Sequence, residues 1–285
     1  MLESVSCVAC GSSLYTLKLT KKSRLGESFD LVECNECRHK FVSPRPDEKS
    51  IAVYYQSDYF EFRDDRGYDD YFSEKTKSEI SRIFHLNLKD LNFKRFKSKS
   101  RNSLDIGCAA GYFVEYMKSL GWDAHGIDLC RNCIDVGRSH GLNLLCADYL
   151  STEYNKKFNL ITMWTTIEHL HRPEDFLKKI CSDLDDNGIL YISTCRADGI
   201  SFMKLFGSKW RFYNFPEHLN FFSIKNIKKF LNQNGFKVKK TIMYGSGVGS
   251  TNSLKKRAAD FAAKYFRLGD MMLICAVKNT NKDNI

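Results

Sequence analysis

The stretch Leu104-Asp105-Ile106-Gly107-Cys108-Ala109-Ala110-Gly111-Tyr112-Phe113 limits what this chain can fold into more than any other. A short apolar run passes into small residues and then directly into a helical pattern. Small residues at such a junction let the backbone approach a ligand closely and leave N–H groups at a helix N-terminus. Seventeen residues beyond Gly111 the chain reads His125-Gly126-Ile127-Asp128. A second strand therefore ends on a carboxylate at the distance one βαβ unit requires. That carboxylate can accept hydrogen bonds from ribose hydroxyls, so a nucleoside-containing cofactor, and with it an enzyme, is expected.

From Arg101 onward, strand and helix patterns alternate. Strands are expected at Leu104–Ile106, Asp123–Ile127, Leu142–Cys146, Phe158–Met163, Ile189–Ser193, Phe236–Tyr244 and Met271–Lys278. Helices are expected from Gly111 to Leu120, from Arg131 to His140, from Pro173, and after a Ser223 cap; a basic helical insertion separates the last two strands. The implied fold class is α/β: a Rossmann-like, mostly parallel seven-stranded sheet with helices on both faces. Ahead of it, Tyr71 to Phe96 carries Ile80, Ile83, Phe84, Leu88 and Leu91 at amphipathic-helix spacing. Ser43-Pro44-Arg45-Pro46 marks an earlier boundary. The division read is 1–45 as a zinc ribbon, 46–100 as a helical linker or cap, and 101–285 as the cofactor-binding domain.

The ribbon rests on cysteine spacing. Cys7-x-x-Cys10 and Cys34-x-x-Cys37 stand 23 residues apart, and tetrahedral zinc takes four such thiolates from two tight turns. A closed four-cysteine site makes the metal structural, and a segment this short buries little core without one. His39 is a spare ligand candidate. The N-terminus lacks the order of a signal peptide, so the eleven cysteines read as thiols or metal ligands and the expected location is cytoplasmic. Cys130-x-x-Cys133 has no second pair nearby and reads as incidental.

With these residues placed, the stretch from Arg101 to Lys278 resembles the class I S-adenosylmethionine-dependent methyltransferases. Asp105 to Gly111 is similar to that family's first motif, and Asp128 to its ribose-binding acid. Ala147-Asp148-Tyr149 stands where the family meets the adenine ring. Ile167-Glu168-His169-Leu170, running on to Pro173, is similar to the segment that closes over the methionine half. The resemblance implies S-adenosyl-L-methionine bound by Asp105, Gly107, Cys108, Ala109, Gly111, Tyr112, Asp128, Leu129, Asp148, Tyr149 and Trp164, with Tyr68 and Tyr71 over it from the N-terminal side. Ala109 departs from the family's usual glycine, a change common enough among related sequences to be tolerated. The spacing Gly107-x-x-x-Gly111 disfavours NAD, which takes Gly-x-Gly-x-x-Gly. A zinc ribbon, Pro-x-Pro, the aromatic run through Asp58-Tyr59-Phe60 and this core together resemble a bacterial-type subgroup active in sugar, polysaccharide or natural-product assembly.

Methyl transfer from a sulfonium is an in-line displacement, and a hydroxyl acceptor must also lose a proton. His169 follows the fourth strand at the sheet edge where ligands bind. His218 lies in Pro216-Glu217-His218-Leu219-Asn220-Phe221-Phe222-Ser223, which resembles a segment of many small-molecule methyltransferases. Either imidazole is the expected base, with Glu217 as an orienting carboxylate; Trp210, Phe212, Tyr213 and Phe215 are read as a pocket wall. The expected acceptor is a hydroxyl or activated carbon of a small or carrier-linked metabolite, with a sugar as the leading class. A formal charge of +10 permits nucleic acid as a partner. It is not favoured, because Met163-Trp164-Thr165-Thr166 replaces an Asn-Pro-Pro-Tyr-type segment and no RNP motif accompanies the basic clusters. RNA methyltransferase and non-catalytic partner protein are the alternatives. No apolar run is long enough to span a membrane.

Overall fold

A computed structural model describes residues 1–55, 70–96, 100–198, 207–245, 261, 263–266 and 268–279. In chain order the strands are β1 (Leu2–Glu3), β2 (Tyr15–Lys22), β3 (Ser28–Cys34), β4 (Lys40–Val42) and β5 (Arg45–Pro46). Then come α1 (Glu74–Asp90), β6 (Asn102–Ile106), α2 (Tyr112–Ser119), β7 (Asp123–Asp128), α3 (Arg131–Ser139), β8 (Asn143–Cys146) and β9 (Phe158–Trp164). The chain continues through α4 (Pro173–Asp183), β10 (Leu184–Cys195), β11 (Asn220–Phe221), α5 (Ile224–Gln233), β12 (Phe236–Tyr244) and β13 (Met271–Lys278).

Seven strands form one sheet in the order β12-β13-β10-β9-β6-β7-β8. All neighbours are parallel except β13, which runs antiparallel to both β10 and β12. This is the mostly parallel Rossmann-like sheet expected. Its residues alternate between two cores, as a period of two requires. Leu104, Ile106, Ile161, Met163, Leu190, Ile192 and Ile274 pack with Leu177 and Ile180 of α4 and Ile227, Phe230 and Leu231 of α5. Leu160, Tyr191 and Leu273 face the other way, toward Phe84 and Leu88 of α1, Phe113, Val114 and Met117 of α2, and Ile134 of α3. Helices therefore cover both faces.

The differences from expectation have local causes. The amphipathic pattern from Tyr71 to Phe96 contains a shorter helix. Ser73 starts α1 by accepting from the Thr76 N–H, and Asn92 ends the run in the left-handed region. β10 starts five residues early, with a register irregularity between Leu184 and Ile189. The insertion expected between β12 and β13 lies mostly outside the described residues, as do Asp58, Tyr59, Phe60 and Tyr68.

A second sheet joins the N-terminal hairpin to a strand from far along the chain. Its order is β11-β4-β3-β2, so the cysteine-bearing hairpin takes its fourth strand from the segment following His218. Asn220 pairs with Phe41 and Phe221 with Lys40, and the Val42 N–H donates to the Leu219 carbonyl at 3.0 Å. The aromatic residues read as a pocket wall account for most of this junction. Trp210, Tyr213, Phe215 and Phe221 share a core with Phe29, Leu31 and Val42 of the hairpin. Trp210 and Phe215 are each 2% exposed. Their density answers to packing between the hairpin and the main sheet.

Candidate active site

Because β6, β7, β8 and β9 are parallel, their C-terminal ends fall on one edge, where open α/β sheets bind ligands. The turn after β6 is built for close approach. Gly107, Ala109 and Gly111 all have positive φ, at 72°, 47° and 78°. The Gly107 and Cys108 N–H groups donate to the Ile127 carbonyl at 2.9 and 3.2 Å, which ties the turn to β7. A Cβ on Gly107 would lie 2.5 Å from Thr166 Oγ1, and that hydroxyl donates to the Ile106 carbonyl at 3.1 Å. Gly107→Ala therefore meets both a disfavoured backbone and a clash with the segment after β9. Calorimetry on this variant should show cofactor affinity reduced by about tenfold or more, on the scale of 1–2 kcal/mol for αL strain; unchanged affinity would separate the turn from binding.

Asp128, at the end of β7, is held by two backbone donors. The Ala109 N–H reaches Oδ2 and the Cys130 N–H reaches Oδ1, each at 2.8 Å. Burial raises its pKa, and the N–H donors pull it back. Asp105 is 4% exposed and accepts from Thr162 Oγ1 at 2.6 Å. Desolvation, helped by the Asp128 charge, pushes its carboxyl up to about 8. Asp105, Gly107, Cys108, Ala109, Gly111 and Asp128 thus come together as one turn.

The remaining expected binders divide. Tyr71 stacks on Tyr112 with centroids 4.9 Å apart, and the Tyr112 hydroxyl donates to the Tyr71 carbonyl at 2.9 Å. Trp164 packs against Phe84 and Phe113, and its buried Nε1 has no hydrogen-bond partner. Leu129 is exposed. The Asp148 carboxylate accepts from the N–H groups of Leu150 and Ser151 at 3.2 Å, a local turn. The Tyr149 ring enters the core, and its hydroxyl donates to Asp183 at 2.8 Å.

Beyond β9 the chain makes a short 3-10 turn, Ile167–His169, and this turn is zipped to the Pro216-Glu217-His218-Leu219 segment. The Leu219 N–H donates to the Glu168 carbonyl at 2.8 Å, and Asn220 Nδ2 to the Leu170 carbonyl at 2.9 Å. His169 Nδ1 lies 2.7 Å from the Glu217 carbonyl. A carbonyl only accepts, so Nδ1 is a donor here, and in the neutral ring Nε2 then carries the lone pair. The two imidazoles meet edge to face, centroids 4.7 Å apart. Side-chain donor atoms of Glu168, His169 and His218 lie within 4.8 Å of one another.

Glu168 is 1% exposed, and neither carboxylate oxygen meets a partner at hydrogen-bond geometry. Burial pushes its carboxyl up to about 7; the nearby Thr194 hydroxyl and Cys195 amide draw it back only partly. Glu217 is equally buried, with Arg24 of the β2–β3 turn making an ion pair at 3.9 Å. Two neighbours were not singled out individually from the sequence. Arg24 is one. Tyr55 is the other, its hydroxyl 3.0 Å from His169 Nδ1 and 3.2 Å from the Glu217 carbonyl. Only its place in a tyrosine-rich run could have flagged it.

At the far end of the β11 sheet, the four N-terminal cysteines converge. Cys7 Sγ lies 3.5 Å from Cys37 Sγ, and Cys10 Sγ 3.5 Å from Cys34 Sγ. All four lie within 4.8 Å of one another. A tetrahedral metal with bonds of about 2.3 Å sets sulfur atoms about 3.8 Å apart, so the set is shaped for one. His39 is fully buried and turned away, with Nε2 3.5 Å from Asn220 Oδ1. Asn226 Nδ2 donates to the Cys37 carbonyl at 2.7 Å, so α5 also grips the cysteine turn.

A family model described as a methyltransferase domain matches residues 72–241. A ubiquinone biosynthesis O-methyltransferase of Saccharomyces cerevisiae mitochondria is 33% identical over 110 residues, which is 34% of this chain and 35% of that protein. A ubiquinone biosynthesis O-methyltransferase of Glaesserella parasuis is 25% identical over 177 residues, covering 56% of this chain and 75% of that one. The alignments thus span between about a third and three quarters of these relatives. Among solved structures, magnesium protoporphyrin IX methyltransferase from Synechocystis, with bound SAH, superposes with a TM-score of 0.56 at 16% identity. That match covers 82% of this chain and 100% of the other, a likeness of fold.

Proposed function

The chain belongs to the methyltransferase-domain family, and on that premise we propose that it moves the methyl group of S-adenosylmethionine to a hydroxyl of a small or carrier-linked metabolite. The residues suit that cofactor. Asp128 offers a carboxylate fixed by two N–H donors, the Gly107–Gly111 turn permits close approach, and Trp164, at the C-terminal end of β9, carries a buried Nε1 without a hydrogen-bond partner among the described residues. Asp105, Cys108, Ala109, Tyr112 and Tyr71 would complete the cradle. The cofactor supplies an electrophilic methyl on a sulfonium.

What the chain must then supply is alignment and a proton acceptor. The observation that carries this function is the pinned His169: its Nδ1 donates to the Glu217 carbonyl, which makes Nε2 the basic nitrogen of the neutral ring and the atom proposed to take a proton from an acceptor hydroxyl. His218, packed against it, and Glu217 orient the ring; Glu168 stands behind both. A hydroxyl acceptor accords with the O-methyltransferase names of the curated relatives. A sugar hydroxyl is the finer form of the proposal, and activated carbon or RNA its competitors. Zinc at Cys7, Cys10, Cys34 and Cys37 is proposed as structural, with no position left for catalysis. No helix among the described residues is long and apolar enough to cross a membrane; a reducing, cytoplasmic setting suits the thiols.

The test is labelled cofactor with fractionated metabolites, followed by single replacements. His169→Gln should lower kcat at saturating substrate by about 10²–10⁴-fold, the usual range for a lost base, with cofactor affinity preserved. His218→Gln should act less. Label in RNA, or full turnover without His169, would overturn the proposal.

A further inference from the structure

Cys130 and Cys133 stand apart from the zinc cysteines, in the short connection from Asp128 into α3. Cys130 is the N-cap of that helix, and its sulfur accepts from the Cys133 N–H at 3.4 Å. The two sulfur atoms are 3.0 Å apart, and neither belongs to a cluster of three or more metal-ligating side chains among the described residues. Closing this pair to a disulfide of about 2.05 Å requires about 1 Å of approach. Cys130 is partly exposed, so a reagent can reach it, whereas Cys133 is fully buried. We propose that Cys130 and Cys133 are a reversible thiol–disulfide pair whose oxidation weakens cofactor binding at the adjacent Asp128.

The electrostatics assign the roles within the pair. The short sulfur–sulfur contact with Cys133 and the first backbone N–H groups of α3 draw Cys130 down to about 7, while Cys133 is pushed well up by that same contact and by burial. Cys130 is thus the attacking thiolate and Cys133 the resolving thiol. With a small-molecule disulfide of the glutathione class as oxidant, Cys130 sulfur attacks one sulfur of that disulfide. Its S–S bond breaks, and one thiolate leaves. Cys133 then gives up its proton and attacks the Cys130 sulfur, forming the intramolecular bond and releasing the second thiol. Two protein thiols lose two electrons, and one disulfide becomes two thiols.

Coupling to the cofactor runs through one residue. The Cys130 N–H is one of the two donors on Asp128, at 2.8 Å. Gly137, two turns further on, presses α3 against the glycine turn, where a Cβ would lie 2.6 Å from the Ala110 carbonyl oxygen. Drawing the sulfur atoms together re-forms the first turn of α3 with little room for it to shift elsewhere. The effect on affinity rests on the proposed role of Asp128; the disulfide itself does not.

The experiment uses the full zinc-loaded chain, equilibrated with glutathione and glutathione disulfide at graded ratios, alkylated and digested with trypsin. Cleavage after Lys118, Arg131 and Arg138 separates Cys130 from Cys133, so peptides 119–131 and 132–138 stay joined only through the disulfide. We expect the joined pair to accumulate before any zinc cysteine is oxidised. Calorimetry should show S-adenosylmethionine affinity reduced by about tenfold and restored by dithiothreitol, whereas Cys130→Ser, which keeps the backbone N–H, should bind alike with and without oxidant. Absence of the joined peptides, or bonding of Cys133 to Cys108 instead, overturns the pair. A joined pair with affinity unchanged overturns the switch. Failure of the reduced protein to bind the cofactor at all would count against the role of Asp128 and leave the peptide result standing.

Discussion

Stripping the proposed zinc from Cys7, Cys10, Cys34 and Cys37, or replacing Cys34 by Ser, should reduce methyl transfer by about 100-fold or more while leaving cofactor binding largely intact. A structural zinc contributes on the order of 10 kcal/mol to a small metal-bound fold, and here the segment it would hold is not an independent appendage. β4 follows the second cysteine pair and gives its edge to β11. β11 follows directly on Glu217-His218-Leu219, so losing the ribbon unpairs the strand that anchors the segment orienting His169. It also uncovers Phe215 and Trp210, which share a core with Phe29, Leu31 and Val42 of the hairpin. The glycine turn and Asp128 depend instead on β6, β7 and α3. The expected signature is therefore a split: kcat collapses, dye binding reports newly exposed apolar surface, and calorimetry still finds the cofactor site within about threefold of its original affinity. Full turnover by demonstrably metal-free protein would show that the β4–β11 pairing survives without the metal, and would sink the coupling.

Legibility in the sequence followed the range of the interactions. The turn from Gly107 to Gly111 and the carboxylate at Asp128 were readable because their signals are local: a backbone needing positive φ, a strand ending on an acid, a helix beginning at once. β12 and β13 were readable with their full bounds because their apolar runs sit between clear breakers. β11 was not. It has two residues, too few for any periodicity, and its partner lies some 180 residues away in sequence. In the aromatic run from Trp210 to Phe215 the density was visible, but not the hairpin that packs against Trp210, Tyr213 and Phe215, whereas Phe212 stacks with His218. Tyr55 meets His169 across 114 residues, a contact no spacing rule encodes. Asp148 and Tyr149 show the converse, where the position fits the resemblance while the side chains serve a turn and the core.

Glu168→Gln should make the protein more stable above pH 7 and less active. The carboxyl is raised from its ordinary 4.5 to about 7 because it is buried and without hydrogen-bond partners of proper geometry. The folded state therefore holds this proton more tightly than the unfolded chain. The associated stability is fully present below about pH 4.5 and is lost as the pH rises through about 7. At pH 8 the ionised form costs the folded state on the order of 3 kcal/mol, taking about 1.4 kcal/mol per pKa unit. Glutamine has nearly the same shape and no charge, so thermal denaturation should show the variant ahead of the native chain at pH 8 by several degrees. The gap should close near pH 4.5. A side chain kept in place at that cost to stability, its donor atoms within 4.8 Å of those of His169 and His218, is expected to serve the reaction rather than the fold. A carboxylate there favours the protonated imidazole that the proposed base His169 would become, and glutamine cannot. Turnover should accordingly fall by about tenfold or more at saturating substrate, with the KM for cofactor unchanged and the pH–rate profile losing its limb near neutrality. Equal stability of the two proteins at pH 8 would mean that the carboxyl is solvated by groups the fold supplies, and an unaltered pH–rate profile would remove Glu168 from the chemistry.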